Sequence, residues 1–476
     1  MQCTRHLLLA IAGGIVATLA FADAPTGSLA LPVEELVLDN GMRVLLAPRP
    51  GPGLVAAAWA VRRGSGDEPA GKSGVAHLVE HLLHGGSTRV TASDYARLYT
   101  EAGAVGIDAR TDRDVTAYFL QLPPERLELW FWLESDRLLH PSFGDVGREL
   151  QVIAEERRQR LESTPLGPLE EELQRLFWGA HPYAATAGGA ASDLAALTRA
   201  DAETFFGEHY GAGEITAVLV GDFEPAAARE MAGRYFGRLP RVRSNANTAA
   251  GAPSTIASAA ASASATASGA AAASAAVASL PSPPAAGTGA IDRACACAPQ
   301  ARIAYPTVAA TDPDRPALDV LAGILGGRTG RLQRALVDRG LAFAANAQHE
   351  SGRRGGALIL ELEARGSASP QQLVEGWDAE RARLLAAPPT ADEMERVRNQ
   401  VTTGAWRGMR EPLDFALRLL VADAQDPRGV PDGGWRSLEG WPRAVLAVEP
   451  ADVQRVARRY LVPERRLVAR ITRSQR

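Results

Sequence analysis

Between Ser244 and Ile291 there is no charged residue; alanine and serine dominate, broken by glycines and by Pro281, Pro283 and Pro284. A run without large apolar side chains has nothing with which to build a core. Alanine alone favours helix, but mixed with serine, glycine and proline it reads as a flexible tether. The 476-residue chain is therefore expected to divide into an N-terminal domain over 30–243, a linker over 244–298 and a C-terminal domain over 299–476. Both flanks are of ordinary domain size.

In the first flank, apolar runs at Glu34–Leu38 and Met42–Ala47 enclose Asp39-Asn40-Gly41, a hairpin turn signal. A buried strand follows at Leu54–Val61, then strands at Val105–Arg110 and Val115–Leu122 and a last one at Ile215–Val220. Helical periodicity runs over Ala92–Glu101, Arg126–Leu139, Asp145–Leu161, Leu169–Trp178, Asp201–Tyr210 and Pro225–Phe236. The second flank repeats this mixture. Strands are expected at Arg302–Tyr305, Phe343–His349, Ala357–Ala364 and Leu467–Ile471, with helices at Ala317–Leu325, Gly330–Val337, Gln371–Leu385, Ala391–Ala405, Leu413–Ala422 and Ala451–Tyr460. The expected fold class is α+β, two similar domains, each a mostly antiparallel sheet packed with helices.

The first residues, MQCTRH, precede an apolar run that ends in small residues near Ala22 and Ala24, the pattern of a secretory signal over 1–24. The run is short for a membrane span, so no stable span is expected after cleavage. A retained anchor is the alternative. Beyond Cys3 only Cys295 and Cys297 remain, too few for a disulfide framework, so stability must come from the core. A net charge of -4 gives no basic face for nucleic acid.

Three of the eight histidines lie within the stretch GVAHLVEHLLHGG, Gly74 to Gly86. At about 100° per residue, His81 lies about 40° round a helix from His77 and Glu80 about 60° to the other side, so all three project one way. Ser73 is placed to cap this helix and Gly85-Gly86 to end it. His77-Leu-Val-Glu80-His81 is an inverted HxxEH pattern, in which two histidines hold a metal ion while the glutamate handles a proton. The competing reading is a plain amphipathic helix with Val75, Leu78, Leu82 and Leu83 facing the core. Two histidines leave a zinc ion short of the three protein ligands of a hydrolytic site. Arg148 to Arg160 offers the missing carboxylate: Glu149 and Glu156, seven apart, share a helix face, and Glu155 is turned away.

HLVEHLLHGG, followed seventy-five residues after His81 by Glu156 in RELQVIAEE, resembles the inverted-motif zinc peptidases that include pitrilysin, insulin-degrading enzyme and mitochondrial processing peptidase. DARTDRDVTAYFLQLP from Asp108, HPYA from His181 and GGRTGRLQRALVDRGLAF from Gly326 resemble further landmarks in order. The resemblance implies that His77, His81 and Glu156 are ligands of one Zn2+ per chain. It makes Glu80 the general base and Glu149 the carboxylate behind a ligand histidine. The strand near Asp108 would receive an extended peptide. His84 stands where the family tends to carry an apolar or aromatic residue, and a partly buried, hydrogen-bonded histidine is expected there rather than a ligand.

One departure bears on the whole site. Active relatives carry an Arg and a Tyr in a segment like LRxxxGLAY; here Leu336 stands at the Arg position and Phe343 at the Tyr position. The resemblance then implies a periplasmic zinc endopeptidase for unfolded peptides whose partner, a homologous subunit carrying the Arg/Tyr pair, completes the enzyme. A self-sufficient homodimeric peptidase and a non-catalytic assembly subunit of the same fold are the alternatives.

Overall fold

The computed structural model describes residues 31–51, 53–241, 289–425 and 433–474; the signal segment and the linker up to residue 288 lie outside them. The first sheet contains β1 (Glu34–Val37), β2 (Arg43–Pro48), β3 (Val55–Val61), β4 (Val105–Thr111), β5 (Thr116–Leu122) and β6 (Ile215–Gly221). Its order is β1-β2-β6-β3-β5-β4, antiparallel except for the parallel pair β2–β6. The second sheet contains β7 (Gly289–Cys295), β8 (Gln300–Thr307), β9 (Ala342–Gly352), β10 (Gly355–Ala364) and β11 (Leu467–Arg473) in the order β7-β11-β8-β10-β9. Here too one pair, β7–β11, is parallel. The runs β6-β3-β5-β4 and β11-β8-β10-β9 correspond strand for strand, so the expected two similar α+β domains are present.

The alternation of β3 explains how the first sheet is covered. Val55, Ala57, Trp59 and Val61 face the main core, under helices α1 (Val75–His84), α2 (Ala92–Glu101), α3 (Leu127–Leu139), α4 (Val146–Arg157), α7 (Arg199–His209) and α8 (Pro225–Tyr235). Two further helices of this half are α5 (Gly167–Trp178) and the short α6 (Ala191–Leu194). Ala56, Ala58 and Ala60 face the other way, with Leu45, Val218 and Val220, and small side chains let a helix approach closely. That helix comes from the far half of the sequence.

In the second half α9 (Arg315–Leu325), α10 (Pro370–Ala386), α11 (Ala391–Arg407), α13 (Ser437–Leu446) and α14 (Pro450–Tyr460) build the second core, whereas α12 (Pro412–Gln425) lies on the first sheet. Phe415, Leu419 and Leu420 are buried there, each worth about 1.5–3 kcal/mol. The exchange is reciprocal. Leu169, Phe177 and Trp178 of α5 pack on Ala357, Leu467, Ala469 and Ile471 of the second sheet. Each sequence half thus lends one helix to the other's sheet, which the division at 30–243 and 299–476 did not anticipate.

Other expectations need correction. Residues 289–295, assigned to the linker, form β7, because their backbone finds a parallel partner in β11. The helix expected to reach Leu161 leaves α-geometry after Arg157 and closes in a wider π-type turn over Arg158–Glu162. Helix α13 was not foreseen. Among the described residues no helix is long and apolar enough to cross a membrane.

Candidate metal centre

Ser73 does not cap α1. Its hydroxyl donates to Asp193 at 2.8 Å, and the helix begins at Gly74, whose φ of +94° suits glycine. The orphan amides at the helix start are met from a loop instead: Glu68 accepts from Gly74 N and Ala76 N, each at 3.0 Å. Val75, Leu78, Val79, Leu82 and Leu83 enter the first core, which fixes the rotation of α1 and turns His77 and His81 toward α4 and Glu80 toward Thr111 of β4. Gly85 and Gly86 end the helix as expected.

On α4, Asp145 caps the first turn by accepting from Arg148 N at 3.0 Å, and Ile153 anchors the helix in the core. Glu149 and Glu156 then face α1. His77 Nε2 and His81 Nε2 are 3.2 Å apart, and the Glu156 carboxylate lies 3.8 Å from the first and 3.7 Å from the second. One ligand atom from each of the three lies within 4.8 Å of the others. Glu149 Oε2 sits behind them, 3.3 Å from His81 Nδ1. Glu155 is paired on the exposed side with Arg158 at 2.6 Å.

These atoms fit a zinc ion. At about 2.0–2.1 Å from each nitrogen and near-tetrahedral angles, zinc separates two ligand nitrogens by about 3.3–3.4 Å, close to the histidine spacing found. Glu156 Oε2 is buried and makes no hydrogen bond; its cationic neighbour is Arg160, one helical turn on, at 3.3 Å. Burial, with His81 and Arg160 nearby, pushes His77 down to about 3, so its imidazole is neutral at neutral pH, the form that ligates metal.

Glu80 is only 6% exposed and accepts a hydrogen bond from the Thr111 hydroxyl at 2.5 Å. Burial is the main cause that raises its carboxyl to about 7; the Thr111 bond opposes the rise, and the charges of Asp108 and Glu156 add to it. A carboxyl in that range can both take and return a proton. Thr111 was not singled out in the sequence, although it lies inside the segment from Asp108 that marks the edge strand.

Asp108 is not drawn into the metal group; its carboxylate turns back to accept from Ala109 N at 2.9 Å. Its strand is placed as expected, since β4 is the outer strand of the sheet and is exposed from Val105 to Asp108. His84 is not a member of the group either: the residue is exposed at the end of α1, while its ring packs 5.9 Å from that of the buried Tyr118 and burial pushes it down to about 3. Leu336 is fully buried in the second core, while Phe343 is 68% exposed at the start of β9. His181 and Tyr183 of the HPYA landmark serve a contact between the halves: Tyr183 OH donates to Asp114 at 2.6 Å, and His181 Nε2 lies 3.3 Å from Arg354 O.

Comparison with known proteins agrees with this architecture. The family model described as Insulinase (Peptidase family M16) matches residues 43–190, and the one described as Peptidase M16 inactive domain matches residues 196–401. Zinc protease PqqE of Helicobacter pylori is 28% identical over 216 residues, 45% of this chain and 48% of that protein. Coenzyme PQQ synthesis protein F of Pseudomonas putida is 29% identical over 194 residues, 40% of this chain and 25% of that protein. The chain spans about half the length, or less, of the curated relatives it matches. A protease from Helicobacter pylori has the same fold, with a TM-score of 0.76 at 22% identity, over 92% of this chain and 99% of that one. Pitrilysin gives a TM-score of 0.69 at 19% identity, over 94% of this chain and 45% of that one. With M16 models matched on both sides of the linker and the M16 fold carried across both sheets, the chain belongs to peptidase family M16.

Proposed function

We propose that this chain is a zinc-dependent endopeptidase for unfolded peptides and the metal-bearing subunit of a two-chain enzyme in the periplasm. The observation that carries the reading is the convergence of His77, His81 and Glu156 on one point with Glu80 beside it. A zinc ion held there supplies polarisation of the scissile carbonyl and acidifies the attacking water. Glu80 takes the proton of that water and returns it to the leaving amine. Thr111 holds the Glu80 carboxylate in one orientation, and Glu149 holds His81 in the tautomer with Nε2 free. The free edge of β4 adds an extended peptide by backbone pairing, which reads main chain more than side chains.

The two-chain element rests on Leu336 and Phe343. A buried leucine and a phenyl ring carry no donor for the developing oxyanion, so donors must come from elsewhere. The signal pattern supports export, and a protein of the same fold is titled the periplasmic protease PqqL from Escherichia coli. A non-catalytic reading draws on the description of the second family model as an inactive domain; it predicts no turnover in any mixture.

The test is to purify the chain, measure bound zinc, and follow cleavage of quenched peptides by the chain alone and mixed with a neighbouring homologue's product. Zinc with activity only in the mixture supports the proposal. Full activity alone sinks the two-chain element, and absence of zinc sinks the peptidase. Glu80→Gln should keep zinc and lose turnover; retained turnover removes Glu80 from the base role.

A further inference from the structure

The hairpin joining β9 to β10 reaches out of the second sheet, and its two tip residues, Arg353 and Arg354, enter the first domain. Both guanidinium groups converge on Asp67, whose side chain is only 7% exposed, at 2.7 Å and 2.6 Å. Arg353 also donates to Arg62 O at 2.8 Å, and Arg354 to Gly66 O. The tip backbone is held as well: Arg353 N donates to Asp114 at 2.8 Å and Arg354 N to Tyr183 OH at 3.0 Å. The approach is close enough that a Cβ on Gly352 would lie 2.6 Å from Tyr183 OH and 2.7 Å from Asp114.

Two routes lead from this contact to the metal centre. Asp67 is followed by Glu68, the carboxylate that receives the first amides of α1 one residue before His77. Two guanidinium groups on Asp67 hold the loop in the position from which Glu68 reaches the helix. The second route runs through the β4–β5 turn, which contains Asp114 and is bonded to the same loop by Ser65 N to Asp112 O at 3.0 Å and Gly66 N to Arg113 O at 2.9 Å. Thr111, the partner of Glu80, precedes that turn directly.

We propose that the Arg353–Arg354 tip of the second domain is a positioning device for the metal centre, holding through Asp67 the loop that caps α1 and the turn that sets Thr111. This role rests on the zinc reading above. It gives the second domain, which brings no ligand to the site, a direct part in the affinity of the first.

Zinc affinity of the full chain, measured by competition with a chromophoric chelator, is compared with the Tm of the zinc-free form. The double variant Arg353→Gln/Arg354→Gln should bind zinc about tenfold more weakly, the loss expected when an outer support of a ligand is removed. The lysine pair Arg353→Lys/Arg354→Lys, which restores charge opposite Asp67, should recover most of it. Thr216→Val is the control. It removes a buried 2.5 Å bond to Asp423 across the same domain boundary, on the sheet face turned away from α1. It should lower Tm yet leave zinc affinity within about twofold of wild type, since it supports no ligand. If the double variant fails to fold, the single arginine substitutions should each weaken zinc about threefold, half the loss in free energy. Zinc binding unchanged in the tip variants, or weakened equally by Thr216→Val, overturns the proposal alone. Wild-type chain that binds no zinc overturns the metal reading itself.

Discussion

Removing the Glu149 carboxylate tests the ligand assignment without touching a ligand. Glu149 Oε2 lies 3.3 Å from His81 Nδ1, with its side chain 27% exposed. Outer carboxylates of this kind typically change metal affinity by about 10–100-fold. A 3.3 Å contact is long for a charge-assisted bond, which runs about 2.7–2.9 Å, and partial solvation weakens it further. The expected cost of Glu149→Ala is therefore at the low end, about tenfold in the zinc dissociation constant, or about 1.4 kcal/mol. Glu149→Gln keeps an acceptor for Nδ1–H and loses only the charge. Neutral bonds are about half as strong as charge-assisted ones, so about 0.7 kcal/mol, or about threefold, should be lost. Chelator competition at fixed pH gives both constants, and the ring-nitrogen shifts of His81 report its tautomer. Equal affinity in wild type and Glu149→Ala would refute the supporting role. A loss far beyond a hundredfold would make Glu149 a ligand itself and refute the set of His77, His81 and Glu156.

Beneath the site, Glu134 is 1% exposed and accepts from Trp59 Nε1 at 2.5 Å, Tyr95 OH at 3.1 Å and Tyr99 OH at 2.5 Å, and also from Arg137. Glu134→Leu leaves the buried Arg137 unpaired and should cost about 3–5 kcal/mol in urea unfolding, with the double variant Glu134→Leu/Arg137→Met losing less than the single. A loss below about 1 kcal/mol in the single variant would show the charge finding water. In the second domain, burial acts to raise the Glu393 carboxyl, but Arg331, Arg334 and the Thr390 amide overcome it and lower it to about 2. A depressed carboxylate stabilises the fold above about pH 4.5 and loses that contribution as pH falls toward about 2. Glu393→Gln should therefore flatten the acid limb of Tm against pH, by about 1–2 kcal/mol after allowance for the exposed Arg334 among its partners. An unchanged acid limb would remove Glu393 from the acid response.

Elements whose cause is local were legible in the sequence. The hairpin around Gly41, the helix of the HxxEH stretch with its glycine end and the face shared by Glu149 and Glu156 each follow from spacing, and the structure places them so. What escaped has a distant cause. The apolar pattern of PLDFALRLLVADAQ says that one face of α12 is buried, not that it lies on a sheet built about two hundred to nearly four hundred residues earlier. The Ala56, Ala58, Ala60 series did carry a signal, since a strand with small apolar residues on its second face needs a cover there. The Glu68 cap reaches across a loop to a helix that a glycine in a left-handed conformation starts, and no cap pattern spans that distance. The tip arginines lie 286 and 287 residues from Asp67 and look like any exposed turn.

The correspondence between the domains also explains why, among the described residues, the group that could hold a metal includes α1 and not its counterpart in the second domain. Counting from the residue before each helix, Gly74 for α1 and Asp314 for α9, the positions of His77, Glu80 and His81 fall on Ala317, Val320 and Leu321. These three are buried in the second core, with Met394 and Val397 of α11 and Val453 and Val456 of α14. In the first domain the equivalent face meets α4, whose Glu149 and Glu156 are polar and partly solvated. A metal site needs neutral or anionic donors at short mutual distance and an approach for water and substrate. A helix face closed by valines and leucines has neither. The two halves therefore share a topology but differ on this helix, with α1 keeping a polar face toward α4. The second domain closes that face on α9 as core and contributes through α12 and the Arg353–Arg354 tip.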